Sequence, residues 1–303
     1  MNGFLVIDKP GGMTSFDVVA RARRFCGEKR CGHTGTLDPM ATGILAVAVG
    51  RAAKFIRYLP DAHKRYRAEF ILGVSTDTLD ITGKVLERRE VSVSDEEVAA
   101  AAESFVGVSE QLPPMYSAIR KNGERLYDLA RKGIEVEREK REVTVYSLTC
   151  SNEDGRRVLE VECSRGTYVR SLISDIGEKL GCPAVMSALR RLSTDGFDIE
   201  SASTLEELEN AARDGSVGSL LIPTGDAFSS LPAFGMSPAQ ERRFRNGGAL
   251  DAGRVRFISD NSTDNIDYKT ENGVFRALGA DGFIGLGRLA GGSLTPLAVL
   301  DPV

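Results

Sequence analysis

The order of strand-like and helix-like segments constrains the fold of this chain more than any other sequence feature. Apolar runs and alternating patterns predict strands over residues 3–8, 44–49, 63–72, 143–150 and 157–163. Helical periodicity and capping signals predict helices over residues 14–25, 51–59, 94–105, 123–131, 167–180 and 204–213. The two types do not alternate in the regular βαβ rhythm of a doubly wound sheet. The pattern therefore predicts an α+β fold, with a mixed, mostly antiparallel sheet flanked by helices.

The composition changes near Phe228, and this change predicts a domain boundary. Beyond it, glycines recur between short apolar runs, at positions 247, 248, 253, 273, 279, 282, 285, 287, 291 and 292. This pattern is typical of short strands joined by tight turns. We expect a large domain over residues 1–227 and a small β-rich module over residues 228–303. A loose dinucleotide fingerprint, Gly285-x-Gly287-x-x-Ala290, is rejected because too little chain follows it for a βαβ unit.

Cysteine and histidine usage narrows the chemistry. The five cysteines are scattered without a C-x-x-C pair, which argues against a disulfide framework or a zinc site. With two histidines, His33 and His63, most metal and Ser-His sites are hard to build, so no metal or cofactor is expected. No apolar run approaches the roughly 18 residues of a membrane span. These features predict a soluble, cytoplasmic protein whose chemistry uses carboxylates, arginine and tyrosine.

The formal net charge of −4 conceals an uneven distribution. Residues 1–70 hold 12 Lys/Arg against 6 Asp/Glu, and residues 156–191 hold 7 against 4. The acidic residues concentrate in 77–110, with 9 against 3, and in 192–227, with 8 against 1. A polyanion responds to the local field, so the basic segments are compatible with a nucleic-acid partner. Charge alone leaves open the alternative that these are ordinary solvated faces.

The segment Gly32–Gly43, GHTGTLDPMATG, is the most informative stretch for function. Its three glycines allow tight turns and close approach of another molecule to the backbone. Pro39 restricts Asp38 to an extended conformation, which would present the carboxylate at a defined angle. The segment lacks the lysine that a phosphate-binding P-loop requires. Taken alone, it also fits an ordinary Asp-Pro turn.

Six motifs in one order carry a resemblance to a known family. They are the loop 32–43, Asp8-Lys9-Pro10 with Met13-Thr14-Ser15, Lys64-Arg65-Tyr66, Pro113-Pro114-x-Tyr116-Ser117-Ala118, Gly123-x-Arg125-Leu126-Tyr127 and Gly166-Thr167-Tyr168-Val169-Arg170-Ser171-Leu172. In this order the chain resembles the TruB-type tRNA pseudouridine-55 synthases over roughly residues 3–200. The tail from 228 resembles, more loosely, the PUA-like RNA-binding domain of that family.

The resemblance implies catalytic roles for three residues. Asp38 matches the essential nucleophile, Arg170 matches the arginine that pairs with it, and Tyr66 matches a tyrosine that stacks on the target uracil and is suggested to take a sugar proton. Without the family, Arg170 would be read as a helix-surface arginine and Tyr66 as a packing aromatic. Lys9 and Pro10 are expected to support the loop from behind.

The resemblance also implies four substrate-binding residues. They are His33, thought to help displace the base from its stack, Leu189, which lines the pocket, and Tyr168 and Lys64. His33 could instead be a loop residue hydrogen-bonded to the backbone, and a core leucine would explain Leu189 equally well.

The implied activity is conversion of uridine 55 in the T-loop of tRNA to pseudouridine, without cofactor, on a flipped-out base. The expected partner is the T-arm of tRNA, and the expected form is a monomer that needs no guide RNA and does not bind membranes. A tRNA-folding chaperone activity could accompany catalysis. Two alternatives stay open: a guide-dependent synthase subunit acting on ribosomal RNA, and a non-catalytic RNA-binding protein or chaperone.

Overall fold

A computed structural model describes residues 1–60, 63–258 and 273–301 of the chain. The strands, in chain order, are β1 (Gly3–Lys9), β2 (Cys31–His33), β3 (Thr42–Val49), β4 (Lys64–Leu72), β5 (Val74–Thr76), β6 (Val85–Arg88), β7 (Gly107–Gln111), β8 (Arg120–Lys121), β9 (Glu124–Arg125), β10 (Arg141–Glu153), β11 (Arg156–Cys163), β12 (Ala184–Thr194), β13 (Phe197–Asp198), β14 (Leu221–Ile222), β15 (Ala233–Gly235), β16 (Leu250–Asp251), β17 (Arg256–Ile258), β18 (Val274–Gly279), β19 (Gly282–Ala290) and β20 (Ser293–Val299). The α-helices are α1 (Ser15–Cys26), α2 (Asp95–Glu103), α3 (Leu126–Arg131), α4 (Val169–Lys179), α5 (Leu205–Asp214) and α6 (Pro238–Arg245).

Ten of the twenty strands in the described part of the chain join one large sheet. Within the described residues, its main order is β14-β1-β3-β12-β4-β11-β10-β7, with β2 beside β3 and β13 beside β12. Neighbouring strands run antiparallel except β3 and β12, which are parallel. The predicted α+β fold with a mixed, mostly antiparallel sheet is therefore confirmed.

The burial pattern of β4 explains how the sheet presents polar side chains. Residues 64, 66, 68, 70 and 72 are buried, whereas 65 and 71 are exposed. Because side chains alternate between the two faces of a strand, Lys64 and Tyr66 lie on the same inner face. The neighbouring β3 reads TGILAVAV and is buried from Gly43 onward, as expected for a central strand covered on both faces.

Helices cover both faces of the large sheet. On one face, α2 and α4 pack in a core that includes Leu37, Tyr66 and Leu189. On the other, α1 and α5 pack against β1 and β3. The N-terminus of α1 has a capping box in which the Thr14 hydroxyl accepts from the backbone N–H of Asp17, and Gly27 ends the helix at φ 61°. Within the described residues, no helix is long and apolar enough to cross a membrane.

A second sheet lies in the C-terminal part, with the order β16-β20-β19-β18-β15-β17 among the described residues. A β-rich module was expected there, but α6 was not; residues 259–272, 302 and 303 of the expected module lie outside the described residues. A third core cluster joins the two sheets. It contains Phe4 and Phe55 from the N-terminal part together with Phe228, Leu286 and Ala298.

Three local predictions differ from the structure. The expected helix over 51–59 is a pair of short 3-10 helices, Gly50–Lys54 and Ile56–Tyr58. The expected helix over 123–131 begins only at Leu126, because Glu124–Arg125 form a small hairpin with Arg120–Lys121. The whole of β12 was missed, since Arg190 and Arg191 interrupt its apolar pattern. Arg191 is nevertheless completely buried.

Candidate active site

The loop between β2 and β3 carries Asp38, and buried side chains hold it on several sides. The Ser15 hydroxyl accepts from the backbone N–H of Leu37 at 2.8 Å and donates to its carbonyl at 3.0 Å. Lys9, which is fully buried, donates through Nζ to the carbonyl of Pro39 at 3.2 Å. Lys9 therefore supports the loop from behind, as predicted, and the backbone on both sides of Asp38 is fixed.

Arg191 holds the same loop from the adjacent strand β12, and it was not identified from the sequence. Its guanidinium donates to the carbonyls of Ile44 at 2.8 Å, Gly35 at 3.1 Å and Thr36 at 3.4 Å. The strand approaches so closely that a Cβ at Gly43, whose φ is +96°, would lie 2.2 Å from the Arg191 carbonyl oxygen. Gly43 thus meets a packing requirement as well as a conformational one.

The carboxylate of Asp38 lies in the fork of Arg170 at the start of α4. Nη2 of Arg170 is 3.1 Å from Oδ1, and Nε is 3.0 Å from Oδ2. The same guanidinium donates to the carbonyls of Thr78 at 2.8 Å and Tyr116 at 2.9 Å. Arg170 is only 3% exposed, so it is not a helix-surface arginine. A bidentate pair of this kind fixes the direction of the carboxylate as well as its position.

The surroundings of Asp38 act on its charge in opposite directions. Burial raises the pKa of Asp38, and the Arg170 guanidinium opposes that rise. The carboxylate of Asp80, 3.8 Å from Nη1 of Arg170, adds to the rise in the Asp38 pKa. Asp38 is therefore a partly enclosed carboxylate, 32% exposed and paired with one strong cation, an arrangement suited to a nucleophile or a charge stabiliser.

A cavity of about 220 Å³ opens beside this pair. Six of the seven predicted site residues line it: Asp38, Lys64, Tyr66, Tyr168, Arg170 and Leu189. The structure brings them together from the β2–β3 loop, β4, the start of α4 and β12. Tyr66 and Leu189 are 7% and 8% exposed and form apolar walls on adjacent strands.

The seventh residue, His33, is not among the residues that line this cavity. It belongs to β2 and pairs with Val47 of β3. Its Nδ1 is buried and has no hydrogen-bond partner within the described ranges. Burial lowers the pKa of His33, and the positive charges of Arg191 and Lys64 lower it further. The neutral imidazole is thus favoured at this position.

Two further residues shape the site without having been predicted. Gln111, at the end of β7, accepts from the backbone N–H of Tyr168 at 2.7 Å and donates to its carbonyl at 3.1 Å. This double contact fixes the backbone immediately before α4. Asp80 is buried near Arg170 and accepts from the hydroxyl of Thr82 at 2.5 Å. Neither residue belongs to a motif quoted for the family, and both act through contacts that only the fold creates.

The chain was compared with known families and with curated relatives. Residues 23–169 match the family model described as "TruB family pseudouridylate synthase (N terminal domain)", and residues 170–228 match "tRNA pseudouridylate synthase B C-terminal domain". A tRNA pseudouridine synthase B of Geobacter sulfurreducens is 47% identical over 82% of each chain. This chain belongs to the TruB family of pseudouridylate synthases. The resemblance read from the six motifs is confirmed.

Another TruB-family relative covers more of the chain. The tRNA pseudouridine synthase B of Lactobacillus delbrueckii subsp. bulgaricus is 43% identical over 92% of this chain and 95% of its own length. Among solved structures, one described as a Cbf5-Nop10-Gar1 complex matches with a TM-score of 0.76 at 24% identity, covering 99% of this chain and 85% of that one. That structure shares the fold of the TruB-family chain.

Proposed function

We propose that this chain converts uridine 55 in the T-loop of tRNA to pseudouridine, with Asp38 as the nucleophile and without a cofactor. The observation that carries the proposal is the ionic fork between Arg170 and Asp38 at the wall of a cavity lined by Tyr66 and Leu189. Family membership supports pseudouridine formation, and the relatives named tRNA pseudouridine synthase B support tRNA as the substrate.

The reaction breaks the N1–C1′ glycosidic bond and forms a C5–C1′ bond. The uracil loses a proton from C5 and gains one at N1, so no oxidant, reductant or external group is consumed. Asp38 acts at the sugar, either by adding to C1′ or by promoting a glycal route in which a sugar proton is removed. Both routes need an ionised carboxylate in a site that excludes water, and Arg170 favours that ionised form.

The target base must leave its stack before the sugar can reach Asp38. Extrusion costs a few kcal/mol, and stacking on an aromatic side chain returns about 1–3 kcal/mol. Tyr66 provides that aromatic face, and Leu189 on the adjacent strand forms a second apolar wall. Burial raises the pKa of Tyr66, so its phenol keeps its proton in the resting site. The hydroxyl would have to pass that proton on before it could accept one from the sugar.

The remaining parts of the proposal concern the partner and its recognition. The enzyme acts in the cytoplasm as a monomer on the T-arm without a guide RNA, and residues 228–303 form a PUA-like RNA-binding domain. In the described part of that module, α6 carries the exposed Arg242 and Arg243, which suit phosphate contacts, whereas Arg245 pairs with Glu241. His33, Tyr168 and Lys64 bind the RNA around the target. An RNA-folding activity that does not require Asp38 accompanies catalysis.

The deciding experiment uses purified protein and unmodified tRNA without any guide RNA. One T-loop uridine should be converted, and a transcript with cytidine at position 55 should give no product. Absence of conversion under varied salt and temperature would sink the proposal. The Asp38→Asn variant should bind tRNA with unchanged affinity, lose turnover and retain RNA refolding. Turnover near the wild-type rate would show that Asp38 is not the nucleophile.

A further inference from the structure

Lys64 is a buried cation that nothing described so far neutralises. It is the first residue of β4, is 9% exposed and lines the catalytic cavity on the same face as Tyr66. Across the described residues, its ammonium group takes part in no hydrogen bond or ion pair. A lysine ammonium has three donors, and no described protein group takes any of them, so a ligand in the cavity can accept them.

The acidic groups that could pair with Lys64 are engaged elsewhere. Asp195 accepts from Arg165 through Oδ1 at 2.5 Å and from the Thr194 hydroxyl through Oδ2 at 3.0 Å. Asp38 is held by Arg170. Both carboxylates therefore pair with other residues, and the positive charge of Lys64 at the cavity wall is not compensated.

A second cation lies beside Lys64 and increases the local excess of positive charge. A Cβ at Gly35 would be 3.0 Å from Nζ of Lys64 and 3.5 Å from Nη1 of Arg191, so the two side chains converge on that glycine. The guanidinium of Arg191 is occupied by three backbone carbonyls, whereas Lys64 has its donors available. On another side of the cavity, Gly166 faces open space, with no atom within 4 Å of a Cβ built there.

We propose that Lys64 binds a backbone phosphate that flanks the target uridine. A uracil carbonyl is a neutral acceptor and would leave the two converging cations uncompensated, whereas a phosphodiester brings a full negative charge. Gly35 and Gly166 present no side chain, so an RNA backbone can approach the protein closely there. The ribose must place C1′ at Asp38, which brings its flanking phosphates to the rim of the same cavity. This inference rests on the proposed function, because it specifies how that RNA is held.

The electrostatics of the free site agree with an anion as ligand. Burial lowers the pKa of Lys64 to about 8, with a further lowering from Arg191 and an opposing effect from Asp195. Arg165 also lowers the pKa of Lys64, and the Cys163 thiol, whose own pKa is raised to about 11, is uncharged at neutral pH. A phosphate would raise the pKa of Lys64 again, so RNA binding above pH 8 should take up a proton.

The test uses a T-arm hairpin RNA with an uncharged methylphosphonate at the linkage on the 5′ or the 3′ side of the target. With wild-type protein, one of the two substitutions should lower the single-turnover kcat/KM about tenfold to a hundredfold. Lys64→Met should cause a loss of similar size with the natural RNA and no further loss with that substituted RNA. For Lys64→Met, the slope of log binding affinity against log salt concentration should fall by about the contribution of one phosphate contact. Lys179→Met is the matched control, since this exposed lysine at the end of α4 is not among the residues that line the cavity. It should leave the sensitivity to methylphosphonate unchanged.

Three results would overturn the inference. The first is an unchanged kcat/KM of the wild-type protein with both methylphosphonate RNAs. This result needs no variant, so it can be obtained even if Lys64→Met fails to fold. Another is a Lys64→Met loss of the same factor with natural and substituted RNA, which would place the contact on the base. The third is an unchanged rate in Lys64→Met. A wild-type protein that converts no uridine in the natural hairpin would refute the proposed function instead, so the two failures are distinguishable.

Discussion

Replacing Arg170 by lysine tests whether Asp38 needs only a positive charge beside it or also the planar guanidinium that contacts both of its oxygens. Arg170 makes two contacts to the Asp38 carboxylate and donates to the carbonyls of Thr78 and Tyr116. A lysine keeps the charge but cannot reproduce the planar fork. Each of the two carbonyls left without a donor costs about 1–3 kcal/mol, so the free energy of unfolding should fall by about 2–6 kcal/mol. Losing one charge-assisted contact to Asp38, about 1.5–3 kcal/mol, should slow the chemical step about tenfold to a hundredfold.

The two effects are measured separately. Urea unfolding gives the change in stability, and single-turnover conversion of unmodified tRNA at saturating enzyme gives the change in the chemical step. Arg190→Lys is the matched control, because Arg190 also forms a two-contact fork, to Asp8 at 3.0 and 2.7 Å. That pair is 39% and 28% exposed, and exposed pairs are worth about 0–1 kcal/mol. If Arg170→Lys matched Arg190→Lys in stability and rate, the buried fork would have no role of its own.

Three further predictions concern Tyr66, Asp38 and Gly43. Tyr66→Phe should slow the single-turnover rate more than it weakens tRNA binding; an unchanged rate would remove the hydroxyl from the proton transfers. Because burial raises the pKa of Asp38 and the ionised form reacts, the rate should fall on acidification with a midpoint above the ordinary aspartate value of about 3.9; a midpoint at or below that value would contradict the assignment. Gly43→Ala should lower thermal stability more than Gly12→Ala, since both have positive φ, worth about 1–2 kcal/mol, but only Gly43 would clash with the Arg191 carbonyl. Equal losses would show that the strand can move aside.

The sequence predicted those features that are local or carried by an uninterrupted motif. The capping signals of α1 and α2, the alternation in β4 and the two strands predicted over 143–150 and 157–163 all correspond to observed elements. Motifs also pointed to Asp38 and Arg170, although the contact between them spans 132 positions and needs the fold to form.

What was missed depends on contacts between distant segments. Arg191 looks like a solvated charge in the sequence, yet it is buried because the carbonyls of the loop that carries Asp38, about 150 residues earlier, surround it. Gln111 fixes Tyr168 across 57 positions in the same way. A side chain that binds backbone carbonyls leaves no pattern of residue types at its partner positions, so composition and spacing carry no signal for it. Helix α6 was missed for a different reason, because the surrounding glycines favoured a module of strands and turns alone.

The aromatic cluster between the two sheets links the stability of the N-terminal part to the presence of the C-terminal part. Phe55, which follows the first 3-10 helix, lies 5.9 Å from Phe228 and 5.7 Å from Phe283 of β19, measured between ring centroids. Phe55 and Phe228 are fully buried, and this joint core is shared by both parts of the chain. The chain should therefore unfold in one cooperative transition. Truncation near residue 228 would expose Phe55 to solvent and yield an unstable fragment. Weak RNA binding by such a fragment would therefore indicate loss of folding and not loss of an RNA contact.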